Sequence, residues 1–222
     1  MNLDKNVFIK GQLINLRKPN IQADIINGNW AEWFNDPKVT KYLIHGTEHN
    51  TKEKQVKLIE SEIKKDNVLI LVIANKETNK NIGVISLKDI DNNCLCAEIA
   101  IVMGFDKYEP GAPLEAMGLL TQYAFEKLNL NRLYAGQHVG LWKWVNTLEL
   151  IGYQLTGYIK DAQKKYDEFN DIVTMSCLKQ TYNNLINERG SYLTDDISKL
   201  CHQRPKENKC EKLKCFIESL YL

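Results

Sequence analysis

A glutamate inside an apolar, strand-like run is costly unless its charge is used or solvated. Glu98 is such a residue, in AEIAIVMG (Ala97–Gly104). Burial of a carboxylate favours its protonated form, which is one way a general base is tuned. A solvated face or a basic neighbour is the alternative explanation. His138 ends a second run, AGQHVG (Ala135–Gly140), and an imidazole there can act as base or acid or be a hydrogen-bonded structural histidine. His45 and His49 sit in LIHGTEHN (Leu43–Asn50), either contacting a substrate or lying in an exposed loop. The stretch KYEPGAPLEAMGLL (Lys107–Leu120) lies between a strand-like and a helix-like run, where free N–H groups at a helix start suit a phosphate. It carries one glycine before the helix and two prolines, so a working cradle, a modified cradle and a plain helix start all remain open. No Ser/His/Asp arrangement or covalent nucleophile is apparent. The chemistry on offer is proton transfer.

The totals narrow the setting. The chain has 222 residues, 44% hydrophobic and 26% charged, which suits one sizeable core, alone or with an appendage. Its 29 basic and 28 acidic residues give a net charge of +1, so no strong field favours nucleic acid or an anionic membrane. No secretory signal is read in residues 1–20, and the longest apolar stretch, VLILVIA (Val68–Ala74), is strand length. A cytoplasmic protein is expected. The six cysteines are read as free thiols. Cys94, Cys96 and Cys177 lie in strand-like runs. Cys201, His202, Cys210 and Cys215 form C-H-x7-C-x4-C, which matches no short Cys-x-x-Cys knuckle, and no metal is expected.

The elements that must position these residues follow from periodicity. FIKGQLINLRKP (Phe8–Pro19) reads as a strand. QADIINGNWAEWFNDPKVTKYL reads as helical, with Trp30, Trp33 and Phe34 clustered and a break at Asp36-Pro37. NTKEKQVKLIESEIKKD reads as a capped helix with Val56, Ile59 and Ile63 on one face. Val68–Ala74, Asn81–Ile90 and Leu95–Gly104 read as an antiparallel meander. Then come a helix (Leu114–Leu128), a strand (Asn131–Val139), a helix ended by Gly152, a hairpin (Tyr153–Ala162, Phe169–Leu178) and a short helix (Gln180–Gly190). Residues 1–190 are read as one domain and 191–222 as an appendage that docks on the domain or on a partner. The pattern implies a mixed central sheet with helices on both faces.

This order, with INLRKPNIQAD, WFNDPKVTKYL, NKNIGVISL, AEIAIVMG, LEAMGLLTQYAFEKLNLNRLYAGQ and LELIGYQLTG, resembles the GCN5-related N-acetyltransferase (GNAT) superfamily. It looks most like the branch of ribosomal-protein and sugar-modifying acetyltransferases, over roughly residues 8–180. The resemblance implies an α/β fold around a mostly antiparallel, twisted sheet of about seven strands. It also implies direct acetyl transfer from acetyl-CoA to an amine, without a metal. The fourth strand would splay from the fifth, and its backbone at Ile101, Val102 and Met103 would meet the cofactor arm. The turn with Tyr108, Gly111, Ala112 and Leu114 would take the pyrophosphate. Gly111 matches the family glycine, whereas Tyr108 stands at the family's Gln/Arg position. Pro113 replaces a Gly/Ala and has no N–H to give. A second departure is Leu141 where the family often has an Asn. Trp142 and Trp144 replace smaller residues there, as core, as a cover for the CoA arm or as acceptor-pocket wall.

The same resemblance assigns roles. Glu98 is the candidate base, with His138 as base or acid. The family's frequent acidic Tyr falls at Leu148, so Tyr153 and Tyr158 are fallback donors. Trp30, Trp33, His45 and His49 are the candidate acceptor contacts. The expected activity is N-acetylation of a small-molecule primary amine. A nucleotide-linked amino sugar of surface-polysaccharide biosynthesis comes first, because two tryptophan faces suit sugar rings. Two alternatives stay open: a ribosomal-type protein N-terminal acetyltransferase, and a non-catalytic module with a degenerate CoA site. A homodimer also stays open.

Overall fold

A computed structural model describes residues 7–104 and 107–220. One sheet of eight strands runs in the order β1-β2-β3-β4-β5-β6-β8-β7. The strands are β1 (Val7–Lys10), β2 (Ile14–Arg17), β3 (Leu69–Asn75), β4 (Asn81–Asp91), β5 (Cys96–Met103), β6 (Arg132–His138), β7 (Gln154–Lys165) and β8 (Glu168–Leu178). All neighbours pair antiparallel except β5 and β6. The mixed fold expected from sequence is thus present, with eight strands in place of about seven.

The extra strand arises because Phe8–Pro19 is a hairpin. The Gly11 N–H donates to the Ile14 carbonyl at 3.0 Å. The carboxylate of the buried Glu115 accepts from the amides of Gln12, Leu13 (2.8 Å) and Ile14 (3.1 Å). An acid far along the chain thus satisfies the turn, and nothing local in the sequence announces it. The expected first helix is likewise broken into a π-helical turn (Ile21–Ile26), α1 (Trp30–Trp33) and α2 (Pro37–Thr40). Asn20 caps the first piece through Ala23, and Asp36 caps the last through Lys38. Inside the turn Asp24 is buried and holds the Arg17 guanidinium in a bidentate pair.

Strand alternation sends side chains to two cores. Leu71, Ile73, Ile85, Leu87, Ala97 and Ile99 face the larger core, with α4 (Ala112–Glu126). Ile70, Val72 and Ala74 face a smaller one built on Trp30, Trp33 and Ile59, the last from α3 (Lys52–Glu62). Helix α5 (Trp142–Leu148) runs through a short 3-10 turn into Gly152, whose φ of 88° makes it the left-handed end expected from sequence. Helix α6 (Lys179–Arg189) follows the hairpin.

The expected boundary near residue 190 coincides with the Gly190 cap of α6, yet packing runs across it. Tyr192, Ile197, Leu200 and Cys210 are buried in the larger core. Helix α7 (Ile197–His202) lies on α4, and α8 (Lys209–Ser219) lies on α5 and β7. Polar ties reinforce this contact. The Tyr192 hydroxyl donates to the Ile151 carbonyl at 2.6 Å, and Asn146 Nδ2 donates to the carbonyls of Pro205 (2.9 Å) and Glu207 (2.7 Å). The last two residues of the apolar CFIESLYL end lie outside the described residues.

Candidate active site

The site begins where one strand pairing stops. Strands β5 and β6 pair only at Cys96–Arg132, Ala97–Leu133 and Glu98–Tyr134. Strand β6 stays paired with β8 as far as His138. Beyond Glu98 the two strands part, and among the described residues β5 from Ile99 to Met103 has no strand on that side. A cavity of about 620 Å³ fills the split, walled by both strands, α3, the residues before α3 and the start of α4.

Glu98 stands at the vertex of the split, half-buried, as the last paired residue, and it lines the cavity. Lys88 is its cross-strand neighbour on β4. Its negative charge also helps, after burial, to raise the pKa of Tyr134. The basic neighbour considered from sequence is therefore present, and it lines the same cavity. Ile101, Val102 and Met103 line the wall as well.

His138 also lines the cavity, but its ring is committed. The Gly140 N–H donates to Nδ1 at 2.9 Å, so Nδ1 carries no proton. Nε2 then carries it and donates to Asn170 Oδ1 at 2.9 Å. Neither nitrogen has a free lone pair for a substrate proton, and the geometry is that of a structural histidine. Tyr153 is excluded from the site altogether. It is fully buried, its hydroxyl bonds Thr121 at 2.7 Å, and burial raises its pKa well above the usual phenol value. Tyr158 donates to Asp171 instead, and Leu148 is core. The phenols that line the cavity are Tyr42 and Tyr108, among the described residues, with burial raising the pKa of Tyr108.

The tryptophan expectations divide. Trp30 lines the cavity but is only 1% exposed, and Trp33 is in the smaller core against Gly104, away from the cavity. Neither offers an open face for a sugar ring. Trp144 and Leu141, not Trp142, line the cavity near the α5 end. Trp142 packs on the larger core, with Lys143 over its ring at 5.4 Å. Two positions along the helix, about 200° of rotation, decide which tryptophan reaches the site.

His45 lines the cavity, and its ring meets Phe34 edge-on at 5.7 Å. Partial burial, then Lys88 and Lys165, hold its pKa below the ordinary 6.5. His49 is not in this cavity. It lines an adjoining hollow of about 260 Å³ that shares His45, Phe34 and Gln55 with it. Sequence reading missed Tyr42, Gln55, Glu62 and Ser86, which also line the cavity. Gln55 carried a usable signal, since a polar residue on the buried face of α3 asks for a polar purpose.

A CoA arm would lie along the split and the turn before α4. The split offers an unpaired strand edge with apolar walls. Tyr108 and Pro113 line the cavity at the α4 end, and Gly111 caps the helix with no side-chain bond across its first amides. Glu115 points away to the β1–β2 turn, which removes its repulsion from this end. The turn uses some of its donors internally. The Ala112 N–H already donates to Glu109 and the Glu115 N–H to Gly111. Ala112 and Leu114 side chains are core, and Gly111 lies against Leu13, Ile197 and Ser198. The arm slot therefore fits, with part of the expected phosphate cradle used internally. Among the described residues no three His, Cys, Asp or Glu side chains are grouped to hold a metal ion, and no helix is long and apolar enough to cross a membrane.

Known proteins are similar to this chain in sequence and fold. A curated relative, an uncharacterized N-acetyltransferase p20 of Bacillus licheniformis, is 27% identical over 172 residues, 76% of this chain and 94% of the relative. A spermidine N-acetyltransferase from Vibrio cholerae, solved with CoA and spermine, superposes with a TM-score of 0.69 at 19% identity, covering 78% of this chain and all of that one. A GCN5-related N-acetyltransferase from Brucella melitensis superposes at 0.68 and 19% identity, covering 87% and 93%. The family described as Acetyltransferase (GNAT) domain matches residues 14–154, so this chain, with its strands parted at Glu98, belongs to the GNAT acetyltransferases.

Proposed function

We propose that this N-acetyltransferase acetylates the primary amine of a small molecule, with Glu98 as the proton acceptor. The observation that carries the reading is the position of Glu98 at the vertex of the split, inside the cavity. Acetyl-CoA supplies an acyl carbon activated as a thioester. The chain's part is to place the amine and remove its proton. An amine in water is mostly protonated and cannot attack until it loses a proton. Glu98 and Glu62 line the cavity, with Lys88 beside Glu98 and Lys65 paired to Glu62 limiting how much positive charge the site accepts. The apolar wall of Trp144, Leu141 and Met103 excludes water from the cofactor side. Tyr108, a phenol lining the cavity at the α4 end, is the group we assign to return a proton to the leaving sulfur.

An amino sugar remains one arm of the acceptor reading, without the two-tryptophan support that first suggested it. The relative solved with spermine is a polyamine enzyme, so an aliphatic amine is the other arm. A protein N terminus is less well suited, because the residues before α3 roof the cavity. Retained CoA binding separates all of these from a non-catalytic module.

The test combines calorimetry with kinetics. Acetyl-CoA and CoA should each bind the purified chain at micromolar concentration, and no binding at millimolar ligand would end the enzymatic reading. Glu98→Gln should bind CoA as tightly as the parent while lowering turnover about a hundredfold. Unchanged turnover would remove Glu98 from the mechanism.

A further inference from the structure

Residues 41–51 join α2 to α3 without regular structure, yet Tyr42, Leu43, Ile44 and His45 form one wall of the cavity. An irregular segment can serve as a wall only if its backbone is held. Its far end is pinned locally. Asn35 Nδ2 donates to the Asn50 carbonyl at 2.8 Å, and the Asn50 N–H donates to Asn35 Oδ1 at 2.7 Å. Its middle is held from across the split. Lys165, the last residue of β7, donates from Nζ to the carbonyls of Thr40, Leu43 (2.9 Å) and His45 (2.9 Å). Tyr166 adds a bond from its hydroxyl to the Gly46 carbonyl at 3.1 Å. The Tyr42 ring rests on His138 of β6, centroids 4.8 Å apart.

An ammonium has three donors, and here each meets a backbone carbonyl. Such charge-assisted bonds are among the stronger polar contacts. Their placement matters more than their number. Strands β6, β8 and β7 form one arm of the split, while α3 and β3–β5 form the other. Lys165 and Tyr166 therefore tie a wall that grows from one arm to the tip of the other.

We propose that Lys165 is a positioning residue for the acceptor: its ammonium fixes the Thr40–His45 backbone and so the wall against which the amine is aligned. The proposal rests on the reading of this cavity as the acceptor site. A merely stabilising lysine would lower the melting temperature when removed and leave acceptor kinetics alone.

The experiment uses the full chain with Lys165→Met and Lys165→Arg. Backbone hydrogen–deuterium exchange, measured without ligand, should quicken about tenfold over residues 40–47 in Lys165→Met and stay unchanged over residues 69–103. Lys165→Arg, which keeps the charge and several donors, should restore most of the protection. With glucosamine and spermidine as probe acceptors, Lys165→Met should raise KM about thirtyfold for whichever is turned over. The kcat and the calorimetric Kd for CoA should stay within about twofold of the parent. Unchanged exchange over residues 40–47, or an unmoved KM for a probe that is turned over, overturns the proposal. If the parent binds CoA but acetylates neither probe, the acceptor reading is what fails, and the exchange result alone decides the role of Lys165. Should Lys165→Met not fold, Lys165→Gln takes its place and must still quicken exchange over the same residues; parental protection there overturns the proposal.

Discussion

The two sides of the cavity are built in opposite ways. On the cofactor side, α4 is buried along most of its length, held by the sheet beneath, by the β1–β2 turn through Glu115, and by α7 above. On the side we assign to the acceptor, residues 41–51 have no helix or strand and depend on a few point contacts from Lys165, Tyr166, His138 and Asn35. The first wall is secured by area and the second by individual bonds. A cofactor shared across a family suits a fixed wall, whereas an acceptor that differs from member to member suits one that a few substitutions can reset.

Removing the cover of α4 is the largest way to break this contrast. Ending the chain after Gly190 strips Tyr192, Ile197, Leu200 and Cys210 from the core. Each buried side chain contributes roughly 1.5–3 kcal/mol, and the sum approaches the whole stability of a domain. The truncated chain should therefore fail to show a cooperative thermal transition. A shift of only a few degrees would mean that area does not secure this side. A smaller effect is expected for Glu115→Gln, which weakens acceptance from the Leu13 and Ile14 amides. It should cost about 2 kcal/mol in denaturant unfolding with no gain in CoA affinity. Tighter CoA binding would show that Glu115 opposes the phosphates after all.

The smallest effect sharpens the other side. His45 has a pKa held below 6.5 by burial first, then by Lys88 and Lys165. Lys88→Met and Lys165→Met should each raise its midpoint in an NMR titration of the imidazole protons, and a midpoint unmoved by both would place these charges elsewhere. The sign for stability follows from the direction. The unfolded chain binds the proton first as pH falls below 6.5, so this group lowers stability on acidification and has no effect above neutrality.

Much of the scaffold was legible because its signals are local. The polar turns of the meander, the Thr51 cap and the glycines at 152 and 190 each specify conformation within a few residues. The place of Glu98 in a strand was legible for the same reason, as a charge in an apolar run. What was not legible depends on partners distant in the chain. The β1–β2 turn is satisfied by Glu115, the His138 ring is consumed by Asn170, and the choice of Trp144 over Trp142 is made by the turn of α5 against the core. Trp33 was read as a sugar platform because its type suits one, while its actual place against Gly104 depends on how three short helical pieces pack. One distant feature did leave a trace. LEAMGLLTQYAF is apolar nearly all round, and a helix of that kind needs cover on every face. The segment after residue 190 supplies it.

That cover also sets an order of events during synthesis. Helix α4 leaves the ribosome well before Tyr192 and Leu200, which close its outer face. At ordinary translation speed the interval is on the order of seconds, long compared with the time in which a helix forms or a chain collapses. Throughout it the nascent chain carries α4 with its outer face unshielded, and safe delivery to the finished enzyme depends on whatever holds such surfaces apart in a crowded cell.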